Sequence, residues 1–183
     1  MAKIIFAIGS DVGDKSKRWA WYKWIELERL LKHSNIQVEY LGTTADEMPT
    51  IKTPSFEQLC RAIVDADLIV CNDNGLMHVT DYLEVPTLMI AGPTSVIKNQ
   101  PLNGYVIKGE CHKDFKDGCY HGAKVKCKKR PLPCLAKIGV RDVYCKIQAI
   151  FGCTELPFRA GQSDVQQCES FIINPNYCQA VRN

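Results

Sequence analysis

The sequence predicts a Rossmann-like α/β fold, in which a parallel sheet carries helices on both faces. Short apolar runs alternate along the chain with segments of helical periodicity, and the connections between them are short. Several of the runs are continuously apolar, as strands covered on both faces must be. The runs also end in glycine, serine, asparagine or threonine, which mark the points where strands give way to turns.

Each of the five predicted strands is a short apolar run that ends at turn-forming residues. They cover residues 3–8, 36–41, 68–71, 87–91 and 105–107. The third, Leu68-Ile69-Val70-Cys71, is apolar at every position, and Pro86 introduces the fourth. Strands of this composition, separated by helices, favour a parallel sheet with right-handed crossovers.

Four predicted helices occupy residues 20–33, 56–63, 76–83 and 140–150. The first repeats Trp24, Leu27 and Leu31 at helical spacing, which is typical of an amphipathic helix. The second follows Ser55, which opens a capping box of the form Ser-x-x-Gln, and Phe56 begins its apolar face.

Length and composition indicate one globular domain. The chain has 183 residues, of which 46% are hydrophobic and 23% charged, and these values exclude disordered, collagenous and coiled-coil proteins. We expect residues 1–150 to form the domain, with a lobe rich in cysteine and lysine at residues 108–135. Residues 151–183 are predicted to be a polar, cysteine-containing tail.

Charge and apolar runs bear on partners and location. The net charge is +3, from 23 lysines and arginines against 20 acidic residues, which is too small an excess to favour nucleic acid. No run approaches a membrane span of about 20 residues, and the run from Ile4 to Ile8 is shorter than a signal-peptide core. The sequence therefore predicts a cytoplasmic protein without a membrane span.

Ten cysteines are unevenly placed, and eight of them follow residue 110. In a reducing compartment, structural disulfides are not expected. Cys111, Cys119, Cys127 and Cys134 lack the Cys-x-x-Cys spacing of common zinc modules. Buried thiols, a structural zinc with these four ligands, and disulfides in an oxidising compartment remain as alternatives.

The carboxyl ends of the predicted strands collect small and hydrogen-bonding residues. Ligands of open α/β sheets bind at that edge. The residues at these ends that we take as candidate ligand contacts are Gly9, Ser10, Gly42, Thr43 and Thr94, together with residues 72–75.

Two segments at this edge suit an anion. Residues 73–78 lie between a buried strand and a helix, where backbone N–H groups and the helix dipole attract phosphate. Lys15, Lys17 and Arg18 precede the first helix and can neutralise a diphosphate. The alternatives are that Asp73 or Asn74 only caps the helix, that Gly75 only relieves strain, and that the basic residues form a solvated loop.

Three blocks of this sequence resemble the carboxy-terminal half of glycosyltransferase family 9, the ADP-heptose:lipopolysaccharide heptosyltransferases of GT-B fold. The blocks are Lys17-Arg18-Trp19, the stretch Ala66-Asp67-Leu68-Ile69-Val70-Cys71-Asn72-Asp73-Asn74-Gly75-Leu76-Met77-His78-Val79, and the segment from Val85-Pro86 to Gly92-Pro93-Thr94. Their order and spacing match over residues 3–150. The resemblance implies one half of a GT-B fold that binds the nucleotide-sugar donor.

The resemblance also implies roles for individual residues. Lys17 contacts the diphosphate and Asp73 reaches the donor sugar, which makes them the implied catalytic residues. The remaining implied contacts are the backbone of Asn74, Gly75 and Leu76 on phosphate, the side chains of Met77 and His78 in the same pocket, and Asp46 or Glu47 on the ribose.

The sequence departs from the family in two respects. Family members are about twice this length, and their other half holds the acceptor site, so we expect a separate acceptor-binding partner or self-association. Asn74 replaces the usual serine of the Asp-Ser-Gly motif. At the candidate anion site the sequence reads Asp73-x-Gly75 and offers no Asp-x-Asp pair to hold a metal beside the diphosphate, so transfer without a metal is expected. A non-catalytic module that binds or sequesters a nucleotide or nucleotide sugar is the alternative.

Overall fold

The computed structural model describes residues 1–9, 15–42, 51, 53, 55–109, 120–121, 124–125 and 133–152. The strands of the main sheet are β1 (Lys3–Ala7), β2 (Gln37–Leu41), β3 (Leu68–Asn72), β4 (Thr87–Ala91) and β5 (Gly104–Lys108). The helices are α1 (Trp21–His33), α2 (Phe56–Val64), α3 (Leu76–Tyr82), α4 (Val96–Asn99), α5 (Pro133–Ala136) and α6 (Val140–Ile150). A short 3-10 helix spans Lys15–Lys17, and the two-residue strands β6 (Tyr120–His121) and β7 (Lys124–Val125) pair antiparallel.

The five strands form one parallel sheet in the order β2-β1-β3-β4-β5. The chain leaves β1 toward β2 on one side and then crosses back to place β3 on the other side. This reversal makes the space between the ends of β1 and β3 a topological switch point, where ligands of such sheets bind. The Rossmann-like fold class is confirmed.

Helices cover the two faces of the sheet, and each face has its own apolar core. On one face, α1 and α6 bury Trp24, Leu31 and Tyr144 against Phe6 of β1, whose ring centroid lies 4.9 Å from that of Trp24. On the other face, α2 and α3 contribute residues such as Ile63. A sheet buried on both faces requires continuously apolar strands, and β3 and β4 are buried at every position.

All five predicted strands and all four predicted helices are present, and no end is shifted by more than one residue. Phe56 belongs to α2 as expected, but its side chain is exposed. It is the first residue of α2, where Ser55 caps the helix by accepting from the Gln58 N–H at 3.2 Å, and the turn stands clear of the sheet. The three shortest helices, at residues 15–17, 96–99 and 133–136, are not foreseen by the sequence.

The predicted lobe is described only at its two ends and in the β6-β7 pair. At one end, Gly109 packs so tightly against the backbone of Cys134 that an added Cβ would collide with the Cys134 carbonyl oxygen. The predicted tail from residue 153 onward lies outside the described residues. In the part of the chain that is described, no helix has the length and apolar character needed to cross a bilayer.

Candidate functional site at the strand ends

The candidate residues at the strand ends lie along one edge, as the sequence predicts. Gly42 follows β2, Gly9 lies beyond β1, Asp73 follows β3 and Thr94 lies beyond β4, and these four strands are consecutive neighbours in the sheet. The candidates Ser10, Thr43, Asp46 and Glu47 lie outside the described residues. We call the edge of the sheet at the switch point, where the Lys17 and Asp73 side chains lie, the strand-end crevice.

Asp73 receives three contacts on one carboxylate oxygen. Its side chain is buried, and Oδ2 accepts a short hydrogen bond from the Thr94 hydroxyl and another from Asn99 Nδ2 at 3.2 Å. Lys17 Nζ lies 3.6 Å from the same oxygen. These contacts hold the carboxylate in a fixed orientation. Within the described residues, no hydrogen bond or ion pair involves Oδ1.

The basic segment lies where the sequence places it. Lys15–Lys17 is a 3-10 helix between β1 and α1, and the Lys17 side chain is 18% exposed. Arg18 is half-buried. The ion pair between Lys17 and a buried carboxylate argues against the alternative of a wholly solvated loop.

Asn74 uses its whole side-chain amide within the protein. Nδ2 donates to the Ala7 carbonyl at 3.1 Å and to the Gly9 carbonyl at 2.8 Å, while Oδ1 accepts from the Leu76 N–H at 3.0 Å. The last contact satisfies a donor at the start of α3, so the capping alternative holds in part for Asn74. The Leu76 N–H, expected to meet phosphate, is occupied by this contact.

Gly75 is exposed and has ordinary helical backbone angles, with φ at −64° and ψ at −20°. An added Cβ would meet nothing within 4 Å. The alternative that Gly75 only relieves strain is therefore wrong, because any residue adopts these angles without cost. Its bare backbone stands open beside the crevice.

The two remaining residues of the motif differ in their surroundings. His78 is exposed on α3. The Met77 side chain is only 1% exposed and packs in the core with Ile63 and Met89, and this placement argues against Met77 as a ligand contact.

The sequence analysis missed the buried contacts that Asn72 and Trp19 make, and it did not name Asn99. Asn72, the last residue of β3, is fully buried, and its amide donates to the Ile8 carbonyl at 2.8 Å and accepts from the Trp19 N–H at 3.0 Å. The Trp19 indole in turn donates to the Ile138 carbonyl at 3.1 Å. Asn99 lies 26 positions after Asp73 and on a four-residue helix, so neither motif nor periodicity points to it.

A buried lysine joins this network to the approach to α6. Lys23 donates to the carbonyls of Ala136 at 2.9 Å and Ile138 at 2.6 Å. Burial lowers the pKa of this ammonium, and the Trp19 ring lies beneath it at 5.7 Å. The contacts place Lys23 in the scaffold of the site, with its charge turned away from the crevice.

Metal ligation is tested only in part. Across the residues with described positions, no group of three or more histidine, cysteine or acidic side chains is arranged to hold a metal. Of the four cysteines considered for zinc, Cys134 is buried at α5, and Cys111, Cys119 and Cys127 lie outside the described residues. Burial raises the pKa of the Cys71 thiol in β3, which keeps that thiol protonated and unreactive.

The chain is an α/β domain with a Rossmann-like sheet and an ion pair at the switch point of that sheet. Comparison with known proteins gives the family: the model of glycosyltransferase family 9 (heptosyltransferase) matches residues 2–124. The chain belongs to glycosyltransferase family 9. A lipooligosaccharide heptosyltransferase 2 of Campylobacter jejuni is 36% identical over 76 residues, which make up 42% of this chain and 21% of that relative.

Solved structures share the fold. The ADP-heptose lipopolysaccharide heptosyltransferase II of Escherichia coli has a TM-score of 0.62 at 23% identity, covering 81% of this chain and 46% of that one. The E. coli heptosyltransferase WaaC with ADP has a TM-score of 0.59 at 21% identity, covering 80% and 43%. TibC of enterotoxigenic E. coli, an iron-containing dodecameric glycosyltransferase, has a TM-score of 0.62 at 16% identity, covering 82% and 46%.

The matched portion has a defined extent. The chain spans about a fifth of the Campylobacter relative and less than half of each of these solved structures. The sheet and its helices therefore correspond to one half of a GT-B fold.

Proposed function

We propose that the chain binds a nucleoside diphosphate sugar of the ADP-heptose type in the strand-end crevice and presents it for glycosyl transfer. The Lys17 and Asp73 pair at the switch point of a family 9 chain carries this proposal. It places one cation and one buried carboxylate where open α/β sheets bind ligands. The solved structure of WaaC, a relative in fold, is a complex with ADP.

The two side chains suit different parts of such a donor. The Lys17 ammonium attracts the diphosphate, whose oxygens only accept hydrogen bonds. Asp73 repels phosphate and accepts from hydroxyl groups, so the sugar is its natural partner. Because Thr94 and Asn99 both bond Oδ2, the second oxygen of Asp73 can receive a sugar hydroxyl without loss of either anchor.

In the transfer step, the bond between the anomeric carbon and the diphosphate oxygen breaks while an acceptor oxygen bonds to that carbon. Negative charge grows on the leaving diphosphate, and Lys17 stabilises it there. With Lys17 in this role, a divalent cation is unnecessary for binding of the donor and for departure of the diphosphate. The acceptor hydroxyl must lose a proton, and we assign that task to a separate acceptor-binding partner or a second copy of the chain.

A binding module without turnover is the second candidate function, and the set of described residues at the site favours it. The chain spans less than half of the fold relatives, and no described residue is placed as a base for an acceptor. Such a module would hold the nucleotide sugar at the same residues and release it unchanged.

Calorimetric titration of the whole chain tests the proposal. ADP, UDP, GDP and their sugar conjugates are titrated in turn, and any binding ligand is then assayed for hydrolysis and for transfer to acceptor sugars. We expect ADP and ADP-heptose to bind more tightly than the other nucleotides. Turnover would identify an enzyme, and tight binding without turnover a module; absence of binding by every nucleotide would refute both.

A further inference from the structure

One asparagine precedes Asp73 and another follows it, and their side-chain amides donate to three consecutive carbonyls at the end of β1. Asn74 donates both of its amide hydrogens, to Ala7 and Gly9, and Asn72 donates to Ile8 between them. The donor-to-acceptor distances run from 2.8 to 3.1 Å, which are those of well-formed hydrogen bonds. We call this arrangement the amide clamp.

The clamp holds both ends of the segment that carries Lys17. That segment leaves β1 at Ile8 and Gly9, where the amides of Asn72 and Asn74 bind, and it enters α1 past Trp19. Asn72 Oδ1 accepts from the Trp19 N–H at 3.0 Å, so one side chain ties the start of the segment to its end. Lys17 lies two residues before Trp19, and its partner Asp73 lies between the two clamp residues.

Simpler roles do not account for these side chains. A serine at position 74 would satisfy the Leu76 N–H, so helix capping does not require an amide. Asn72 is the last residue of a strand that is apolar at the four positions before it, and an aliphatic residue there would pack without needing partners. A buried amide whose oxygen and nitrogen both have partners is costly to replace, because its partners are left unsatisfied. The feature that these two amides have in common is contact with the segment that carries Lys17.

We propose that Asn72 and Asn74 are positioning residues, whose amide clamp sets the distance between the Lys17 ammonium and the Asp73 carboxylate. The consequence for ligand affinity rests on the proposed function, since it requires that Lys17 binds the diphosphate. The consequence for the position of Lys17 does not depend on any ligand.

Substitution of Asn74 tests the clamp through affinity. Asn74→Ser keeps an acceptor for the Leu76 N–H and removes both amide hydrogens. We expect it to weaken ADP binding about fivefold, the effect of one lost hydrogen bond of about 1 kcal/mol. In a Lys17→Ala background the same substitution should change affinity less than about twofold, because the clamp acts through Lys17. An equal loss in both backgrounds would overturn the proposal.

Amine footprinting supplies the arm that needs no ligand. The whole chain is acylated briefly with a water-soluble ester, and the modification rate of each lysine is read by mass spectrometry. We expect Lys17 to react faster in Asn74→Ser than in the wild type, with other lysines unchanged. Tyr144→Phe serves as the control for general loosening, because it removes a part-buried hydroxyl contact to Ser34 at 2.8 Å at the far end of α1.

The two arms separate failure of the clamp from failure of the proposed function. If the wild type binds no nucleotide, the proposed function fails, and footprinting alone decides the clamp. An unchanged Lys17 rate in Asn74→Ser, or a rate raised equally by Tyr144→Phe, would overturn the proposal. Asn72→Leu removes the buried amide and, in a folded variant, should raise the Lys17 modification rate further. Because Asn74 is only half-buried, the Asn74→Ser variant tests the clamp even where Asn72→Leu does not fold.

Discussion

Replacing Lys17 by alanine removes the cation that pairs with the Asp73 carboxylate and should weaken binding of a nucleoside diphosphate. The Lys17 side chain is 18% exposed and its ammonium lies 3.6 Å from Asp73 Oδ2. A contact to phosphate from so shielded an ammonium resembles a charge-assisted hydrogen bond, worth about 1.5–3 kcal/mol, more than an exposed pair. The dissociation constant for ADP should therefore rise about tenfold to about a hundredfold.

The fold should tolerate this substitution. Asp73 keeps the Thr94 hydroxyl and the Asn99 amide, so no buried carboxylate is left without partners. The unfolding midpoint, followed by circular dichroism, should fall only slightly, and it separates lost contacts from lost structure.

Isothermal titration of wild type, Lys17→Ala and Lys32→Ala with ADP measures the effect. Lys32 is a matched control, because it pairs with Glu28 on α1 and is 60% exposed. We expect Lys32→Ala to bind as the wild type does, and the wild-type affinity to fall as salt is raised. An unchanged dissociation constant in folded Lys17→Ala would remove Lys17 from the site.

Three further predictions concern metal, packing and the late cysteines. Stripping divalent cations with EDTA should leave ADP affinity unchanged, as measured by calorimetry; if affinity collapses and magnesium or manganese restores it, Asp73 must be reinterpreted as a metal ligand. Gly109→Ala should lower the free energy of unfolding by about 1–3 kcal/mol because its Cβ meets the Cys134 backbone, whereas Gly75→Ala, with open space around it, should not; equal midpoints in urea unfolding would contradict this. Cys119→Ser and Cys127→Ser should lower the melting temperature more than they lower ADP affinity, and loss of binding at an unchanged melting temperature would instead place the lobe in the site.

The sequence predicts the sheet well because its signals are local. A run such as Leu68 to Cys71 identifies a buried strand by composition alone, and the capping box at Ser55 places the start of α2 correctly. The four-residue helices α4 and α5 are too short to show periodicity. Helical spacing also has a limit, which Phe56 shows. It predicts that residues share one face of a helix, but it does not predict whether the first turn of that helix reaches the sheet.

Parts of the candidate site were predictable for the same reason. The parallel order places Lys17 and Asp73 at one edge, and their ion pair confirms that proximity. The contacts that orient them join residues far apart in sequence: Asn99 reaches back to Asp73, and Asn72 reaches Ile8 across 64 positions. Such pairings follow from the folded sheet, and one sequence contains no local signal for them.

The most direct test of the strand-end crevice is a map of ADP-induced amide shift changes on the ¹⁵N-labelled chain. The account predicts that the largest changes fall at Lys17 to Trp19, at residues 73–78 and at Thr94, with little change on the exposed face of α2. Largest changes on α2, or no changes at saturating ADP, would contradict the assignment of the crevice as the nucleotide site.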